Sequence, residues 1–245
     1  MATLPDGVRL TWLGHATFLL EAQGKRVLID PWLRGNPACP DDLKDPGSVD
    51  VIAITHGHND HMEDAMDVAK RTGATVVAIV EIGDWLETNG VENVVAMNKG
   101  GTAQVGGIKF HMTDARHSST FNATNEGGSG WTVINGGEAA GFVIELETGY
   151  KLYHAGDTCV FGDMALIRKL LAPDIALLPI GDFYTMGPRS AAEAVRLLGV
   201  KTVVPMHYGT FPVLVGTPDE LRKEADDVDG LEVVDLKPGD SIGST

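Results

Sequence analysis

The chain has 245 residues, of which 43% are hydrophobic, and a formal net charge of −15 at pH 7. One α/β domain or two small ones fit this length, and no apolar run approaches the roughly 20 residues that a membrane-spanning helix needs. The acidic balance disfavours nucleic acid as a partner, because lysine and arginine drive phosphate binding and here they are scattered.

The N-terminus and the cysteines indicate the compartment. Residues 1–7 lack a basic region followed by an apolar one, so we expect no secretory signal peptide. The chain has two cysteines, Cys39 and Cys159, and we expect both to be reduced thiols. Together these features predict a cytoplasmic protein.

The first 50 residues predict antiparallel strands at one edge of a sheet, followed by a loop. Strands are predicted over 8–13, 17–21 and 26–30, with a Gln-Gly-Lys turn between the last two. Residues 31–48 are rich in proline, glycine and aspartate, which is typical of a long loop.

The most informative segment follows a short apolar strand predicted over 51–54. Residues 55–61 are Thr-His-Gly-His-Asn-Asp-His, so three histidines and one carboxylate lie within six residues. The glycine and asparagine between them let the backbone turn and the side chains converge. Imidazole and carboxylate are ligands of zinc, manganese, iron and related divalent metals. A catalytic zinc site takes about three protein ligands, so four candidates in one loop suggest two adjacent ions.

The middle of the chain continues this alternation of elements. A helix is predicted over 62–72, with acidic residues in its first turn, and a buried strand over 74–79. A short helix over 81–90 and strands over 94–95 and 108–112 follow.

Residues 118–138 are polar and rich in glycine, with one tryptophan. A loop of this length inside a compact domain is usually functional or disordered. Because it directly follows His117, we interpret it as the rim or lid of a site. A mobile surface loop is the alternative.

The second half contains further predicted strands and helices. The strands cover 141–146, 151–155, 175–179, 202–206 and 231–234. The helices cover 158–171, 190–198 and 218–227, so that Thr158 and Cys159 begin the first of them. No change in composition marks a second domain, and residues 1–245 are predicted to form one domain.

Several further segments accompany the histidine-rich loop in a fixed order. They are Trp12–Phe18 and Leu28–Pro31, then Ala115–Ser119 around His117, Tyr153–Thr158 around Asp157, Thr185–Pro188, and Pro205–Tyr208 around His207. With HxHxDH after a hydrophobic strand, this set resembles the metallo-β-lactamase superfamily. In particular, it is similar to a small metal-dependent hydrolase branch of bacteria and archaea that is related to the ascorbate-6-phosphate lactonases. The resemblance implies an α/β fold, a four-layer αββα sandwich of two mixed β-sheets flanked by helices.

The resemblance also implies a site for two divalent metal ions. The implied ligands of one ion are His56, His58 and His117. Those of the other are Asp60, His61 and His207, with Asp157 as the bridge. Zinc is favoured, and manganese, iron, nickel or cobalt is compatible with ligands that are all nitrogen or oxygen.

The spacing of histidines and carboxylates in the sequence, taken alone, identifies candidate metal ligands only within residues 56–61. A histidine at a strand end, such as His117 or His207, is often only hydrogen-bonded. Asp157 also suits the N-cap of a helix. The assignment of these three residues therefore depends on the motifs around them.

The implied chemistry is hydrolysis by a metal-bound hydroxide. Two cations roughly 3.5–4 Å apart lower the pKa of a shared water, which then attacks a carbonyl or a phosphorus. Asp60 is the candidate that orients the hydroxide and takes its proton. His154 is a candidate general acid, with a buried structural histidine as the alternative.

Other residues are candidates for hydrogen bonds to the ligands or the substrate. His15 and Asp30 lie in matching motifs, with a satisfied polar group in the core as an equal alternative. Beyond another strand end, the residues predicted to line the pocket are Asp182, Tyr184 and Thr185. Weaker candidates for substrate contact are Asn36, Arg116 and Lys99, and we assign no role to His111.

The leading hypothesis is a dinuclear metal-dependent hydrolase of a small-molecule ester, lactone or amide. The alternatives are a metal-dependent phosphodiesterase or nuclease and, less favoured, a non-catalytic metal-binding protein. A di-iron redox enzyme is disfavoured, because the chain has no room for a flavin domain and His58 keeps the hydrolytic pattern. We expect a small molecule as partner and no membrane, and the sequence leaves self-association open.

Overall fold

A computed structural model describes residues 4–124 and 130–244. Two seven-stranded β-sheets pack face to face, and helices cover their outer faces. The predicted αββα sandwich of two mixed sheets is therefore confirmed. No helix in the described ranges is long and apolar enough to cross a bilayer.

The first sheet is formed by strands within residues 8–97 and one C-terminal strand. Its members are β1 (Val8–Trp12), β2 (Phe18–Ala22), β3 (Lys25–Ile29), β4 (Val51–Ala53), β5 (Thr75–Ile79), β6 (Val94–Met97) and β16 (Ser241–Ser244). Their order is β16-β1-β2-β3-β4-β5-β6, antiparallel up to β3 and parallel from β3 to β6. The central parallel strands β4 and β5 are almost entirely apolar and buried, as expected for strands covered on both faces.

The second sheet collects the later strands. They are β7 (Thr102–Val105), β8 (Ile108–Asp114), β11 (Ala140–Glu145), β12 (Lys151–His154), β13 (Ile175–Pro179), β14 (Thr202–Met206) and β15 (Glu232–Val233). Their order is β15-β14-β13-β12-β11-β8-β7, with β12 to β15 parallel. A separate hairpin is formed by β9 (Thr120–Thr124) and β10 (Trp131–Asn135).

The helices lie outside the two sheets. They are α1 (Asn59–Met62), α2 (Ala65–Thr72), α3 (Val80–Thr88), α4 (Met164–Leu170), α5 (Pro188–Leu198) and α6 (Pro218–Glu224). Local sequence sets their ends. For example, α6 begins with a capping box in which Thr217 Oγ1 accepts from the Glu220 amide at 3.2 Å and Glu220 Oε2 accepts from the Thr217 amide at 3.0 Å.

Two apolar layers hold the sandwich together. The larger lies between the sheets and includes Phe18, Ile52, Phe110 and Phe142, all fully buried. The other lies between the second sheet and α4 to α6. Because the strands end at the same level in this rigid core, the loops beyond them share one edge of the molecule.

Several element predictions were wrong in detail. The predicted loop over 118–138 contains the β9–β10 hairpin, and the part over 125–129 lies outside the described residues. The strands β7 and β16 were missed, because Thr102–Val105 and Ser241–Ser244 are short and have no fully buried residue.

The predicted helices also differ from those observed. The helix over 62–72 is broken at Asp64, whose carboxylate accepts from the amides of Leu33 and Arg34. The helix after Asp157 begins only at Met164, because Thr158 Oγ1 is used to accept from the Arg116 amide at 2.9 Å.

Candidate metal centre

The predicted ligands lie at the carboxyl ends of strands from both sheets. The loop after β4 carries residues 56–61, and His117, Asp157 and His207 follow β8, β12 and β14. In α/β folds, loops at this edge are where ligands bind. The structure brings together all seven residues that were predicted as ligands.

The carboxylate of Asp157 lies at the centre of the cluster. Its Oδ2 is 3.0 Å from His207 Nε2, 3.5 Å from His117 Nε2 and 4.0 Å from His56 Nε2. Its Oδ1 is 3.3 Å from His61 Nε2. One carboxylate therefore contacts histidines from both predicted ligand groups.

The potential ligand atoms form two compact groups. One group contains His56, His58, His117 and Asp157, and the other contains His15, Asp60, His61 and His207, each with its ligand atoms within 4.8 Å of one another. This division corresponds to the predicted one, with His15 added to the second group.

Buried polar atoms in the cluster lack hydrogen-bond partners within the described residues. They are His61 Nε2, Asp157 Oδ1 and both ring nitrogens of His207. Leaving such atoms unpaired is costly, so natural proteins rarely do so without a functional reason. Because these atoms converge and are imidazole nitrogens and carboxylate oxygens, they suit divalent cations.

The two carboxylates of the cluster are ionised despite their burial. Burial raises the pKa of Asp157, but His207 and His61 hold it well below its usual range. Burial also raises the pKa of Asp60, but the hydrogen bond with His15 holds it below its usual range. Burial lowers the pKa of His61, whereas Asp157 and Asp30 raise it well above its ordinary value. The cluster therefore offers two ionised carboxylates among its imidazoles, and a bound cation would replace the proton on His61.

Asp30, one of the predicted supporting residues, orients His61. Asp30 Oδ2 is 2.8 Å from His61 Nδ1 and accepts from Thr55 Oγ1 at 2.6 Å, while Oδ1 accepts from the Thr55 amide at 2.8 Å. With Nδ1–H donated to Asp30, the other nitrogen of His61 faces Asp157. A carboxylate behind a histidine ligand is a common arrangement in metal sites.

His15 supports Asp60 in a similar way. Burial, followed by the proximity of His207, lowers the pKa of His15 to about 4, so the ring is neutral. Its Nε2 donates to Asp60 Oδ2 at 3.0 Å, and its Nδ1 accepts from Thr210 Oγ1 at 3.0 Å. Both His15 and His207 have left-handed backbone, with φ of 55° and 56°, and the His207 amide donates to the His15 carbonyl at 2.9 Å. Such conformations are uncommon for non-glycine residues and cluster at functional sites.

His154 does not have the geometry of a general acid. The side chain is fully buried, and its Nε2 donates to the Ala16 carbonyl at 2.9 Å. Its Nδ1 accepts from the Gly156 amide at 3.1 Å. Both ring nitrogens are thus used by backbone, so the general-acid interpretation was wrong. His154 instead joins β12 to the loop before β2.

The other predicted substrate residues lie in different places. Asn36 is fully buried and bonds within its own turn, to the Trp32 carbonyl and the Ala38 amide. Asp182 accepts from the Phe183 amide, and Thr185 Oγ1 donates to the Met186 carbonyl. Of the candidates outside the ligand set, Tyr184 alone lines the pocket described next.

An open cavity of about 670 Å³ lies over the cluster. Its lining combines predicted ligands with residues from distant loops: Trp32, Gly35, His58, Asn59, Asp60, Glu63, His117, Ser118, Asp157, Tyr184, His207 and Phe211. The cluster is therefore accessible to a small molecule. The notable additions are Trp32, Glu63 and Phe211, for which the sequence carried no motif.

Sequence reasoning also missed the contact between the hairpin and the metal loop. Ser119 Oγ accepts from the Gly57 amide at 3.0 Å and donates to the Gly136 carbonyl at 3.0 Å. The two glycines are essential to this approach, because a methyl group at Gly136 would lie 2.8 Å from Ser119 Oγ and one at Gly57 would lie 2.9 Å from Phe121. A paired Gly57 and Gly136 is a tertiary feature that no local pattern shows.

Comparison with known proteins gives consistent results. Residues 25–208 match the family described as the beta-lactamase superfamily domain. A UPF0173 metal-dependent hydrolase from Rubrobacter xylanophilus is 54% identical over 240 residues, which cover 97% of both chains. Another from Koribacter versatilis is 50% identical over 237 residues, which cover 96% of this chain and 98% of the relative.

Among solved structures, the similarity extends to Igni18, a novel metallo hydrolase from the hyperthermophilic archaeon Ignicoccus hospitalis. The two chains are 36% identical and superpose with a TM-score of 0.83, covering 96% of this chain and 97% of the other. Sequence and structure comparisons thus agree over nearly the whole chain. The chain belongs to the UPF0173 family of metal-dependent hydrolases within the beta-lactamase superfamily.

Proposed function

We propose that this metal-dependent hydrolase is dinuclear and cleaves an ester, lactone or amide bond in a small molecule. The observation that supports the proposal is the position of Asp157, whose carboxylate contacts histidines of both ligand groups below an open cavity. Zinc is the favoured metal for a site so rich in histidine, and manganese, iron, nickel and cobalt remain compatible with its donors.

Bound divalent cations in such sites lower the pKa of water and stabilise negative charge on an attacked carbonyl. The protein's own part is positioning and proton transfer. Asp60 lines the cavity, and His15 holds its Oδ2 in place. The Asp60 carboxylate would orient the attacking water and take its proton. Both ring nitrogens of His154 are hydrogen-bonded to backbone groups, so the leaving group would be protonated by Asp60 or by solvent.

A phosphodiesterase or nuclease is the second candidate, and the pocket disfavours it. No lysine or arginine is among the described residues that line the cavity. The net charge of −15 adds to this, since polyanions are recognised by basic surfaces. A metal-binding protein without activity is also disfavoured, because all seven predicted ligands lie together and the cavity above them is open.

The test compares metal-free protein with protein reloaded with zinc or manganese. Initial rates are measured on a 4-nitrophenyl ester, a simple γ-lactone, an anilide and bis-4-nitrophenyl phosphate. We expect metal-dependent turnover of one of the first three that falls more than about 100-fold in His58→Ala. His111→Ala is the matched control, because His111 bonds to Thr102 and Glu145 away from the site.

Two outcomes would contradict the proposal. Turnover of the phosphodiester alone would assign the second candidate function. Full activity with a single equivalent of bound metal, measured by elemental analysis, would contradict the dinuclear assignment.

A further inference from the structure

The walls of the cavity differ in chemistry from its metal-binding floor. Three aromatic residues, Trp32, Tyr184 and Phe211, line it together with the carboxylate of Glu63. The rings of Trp32 and Phe211 lie with centroids 5.8 Å apart and planes 33° apart. Aromatic faces beside a carboxylate are the usual surroundings of a bound organic cation.

The basic residues near the site in sequence have partners elsewhere. Arg34 pairs with Asp64 and Asp67, at 2.6 Å in each case. Arg116, next to His117, lies 3.8 Å from Asp114 and over the ring of Phe161, and Lys99 pairs with Asp114 at 2.6 Å. No lysine or arginine is among the described residues that line the cavity. An anionic group on the substrate, away from the bond to be cleaved, would therefore find no side chain of opposite charge.

Glu63 is placed beside the metal loop by α1. Its amide donates to the Asn59 carbonyl at 2.9 Å, so it lies one helical turn beyond Asn59 and on the same side. The side chain is exposed and has no hydrogen bond or ion pair within the described residues. It therefore presents a free carboxylate to the cavity.

Gly35 lets this carboxylate lie close to the indole of Trp32. A methyl group at Gly35 would collide with Glu63 Oε2 and would lie 2.7 Å from Trp32 Nε1. Because position 35 has no side chain, both groups pack against its backbone at the wall of the cavity, with no hydrogen bond between them.

We propose that Glu63, Trp32 and Phe211 form a subsite for an ammonium group, and that the substrates are esters, lactones or amides that carry a positive charge. The inference deepens the proposed function and rests on it for the bond that is cleaved. The attraction combines a carboxylate with aromatic faces, and about a tenfold preference over a neutral group is the magnitude expected for a partly exposed site. A phosphate or carboxylate in the same position would be repelled by Glu63.

The first experiment measures binding without turnover. Choline and 3,3-dimethylbutan-1-ol have the same shape and hydroxyl group, and only choline is charged. Their Kd values are determined by ligand-observed NMR on the zinc-loaded protein, on Glu63→Gln and on Glu87→Gln. Glu87 is an exposed acid on α3 that does not line the cavity, so its variant controls for net charge.

We expect choline to bind about tenfold more tightly than the alcohol in the native protein and in Glu87→Gln. In Glu63→Gln the preference should fall to about twofold while the Kd of the alcohol stays the same. Equal Kd values in the native protein would overturn the subsite, as would a preference that survives in Glu63→Gln.

The second experiment uses two chromogenic esters of one shape, 4-nitrophenyl 4-(trimethylammonio)butanoate and 4-nitrophenyl 5,5-dimethylhexanoate. We expect the charged ester to have about tenfold higher kcat/KM, and Glu63→Gln to remove that advantage through KM. Equal hydrolysis of both esters would overturn the subsite and leave the hydrolase proposal intact. Cleavage of neither, with the choline preference retained, would support the subsite and count against ester hydrolysis.

Discussion

The floor and the rim of the cavity are built in different ways. On the floor, Asp157 is nearly fully buried, and His61 and Asp60 are each held by a second polar side chain. On the rim, Glu63 and Tyr184 are exposed. A floor fixed by hydrogen bonds preserves the chemistry, whereas exposed rim side chains such as Glu63 and Tyr184 can change with the substrate at little cost in stability. Mutations should therefore affect metal binding on the floor and substrate choice on the rim.

The largest effect should follow Asp157→Asn. The carboxylate contacts both ligand groups, so its loss should weaken both metal positions at once. We expect metal content to fall by at least one equivalent and activity to fall more than about 100-fold, beyond the range seen for supporting residues. Elemental analysis and initial rates check this, with His111→Ala as control. Retention of two equivalents would show that Asp157 does not bridge.

A smaller effect on the floor should follow Asp30→Asn. The amide keeps the shape but weakens the bond that orients His61, and about a 10- to 100-fold loss of metal affinity is typical for such partners. Competition with a chelator measures it. Asp50→Asn is the matched control, because Asp50 bonds to Lys25 and Arg26 at the far end of the sheet. Equal metal affinities in the two variants would show that the Asp30 carboxylate does not support metal binding by orienting His61.

The floor was largely predictable from the sequence because its signals are local. A buried strand followed by histidines and a carboxylate indicates which edge of the sheet carries the site and which atoms would bind a metal. The strand β4 is as short and apolar as its residues indicate. His154 shows the limit of that approach. It lies at a strand end in a motif, but its ring points toward the backbone of Ala16 in the loop before β2. Strand position alone does not tell which nitrogen is free.

The rim was not predictable because its residues come together only in the folded chain. Trp32 and Phe211 are separated by most of the sequence, and neither lies in a periodic pattern. Asn36 was a predicted, though weaker, candidate for substrate contact, but its side chain bonds within its own turn, as asparagine often does. The hairpin was missed because β10 is mostly exposed and lies in a segment rich in polar residues and glycine.

Ser119→Ala should give an intermediate effect, since Ser119 joins the hairpin to the metal loop. Removing its hydroxyl leaves the Gly57 amide without a partner in a buried position, at a cost of about 1–3 kcal/mol. We expect a lower Tm that metal partly restores. Thr217→Ala is the control, because the loss of a helix cap costs about 1 kcal/mol away from the site and should be insensitive to metal. The same response to metal in both variants would show that the hairpin does not support the floor.

The smallest effect should follow Tyr184→Ala on the rim. The ring lines the cavity, is 55% exposed and packs against Phe183 with centroids 4.8 Å apart. We expect KM to rise about 3- to 10-fold with kcat and metal content unchanged, because an exposed aromatic contact contributes to binding and not to the chemistry. Phe183→Ala is a close control, since it removes the neighbouring ring, which is 69% exposed and does not line the cavity. If Tyr184→Ala lowered kcat instead, the phenol would act on the reacting bond. The rim would then contribute to the chemistry as well as to substrate binding.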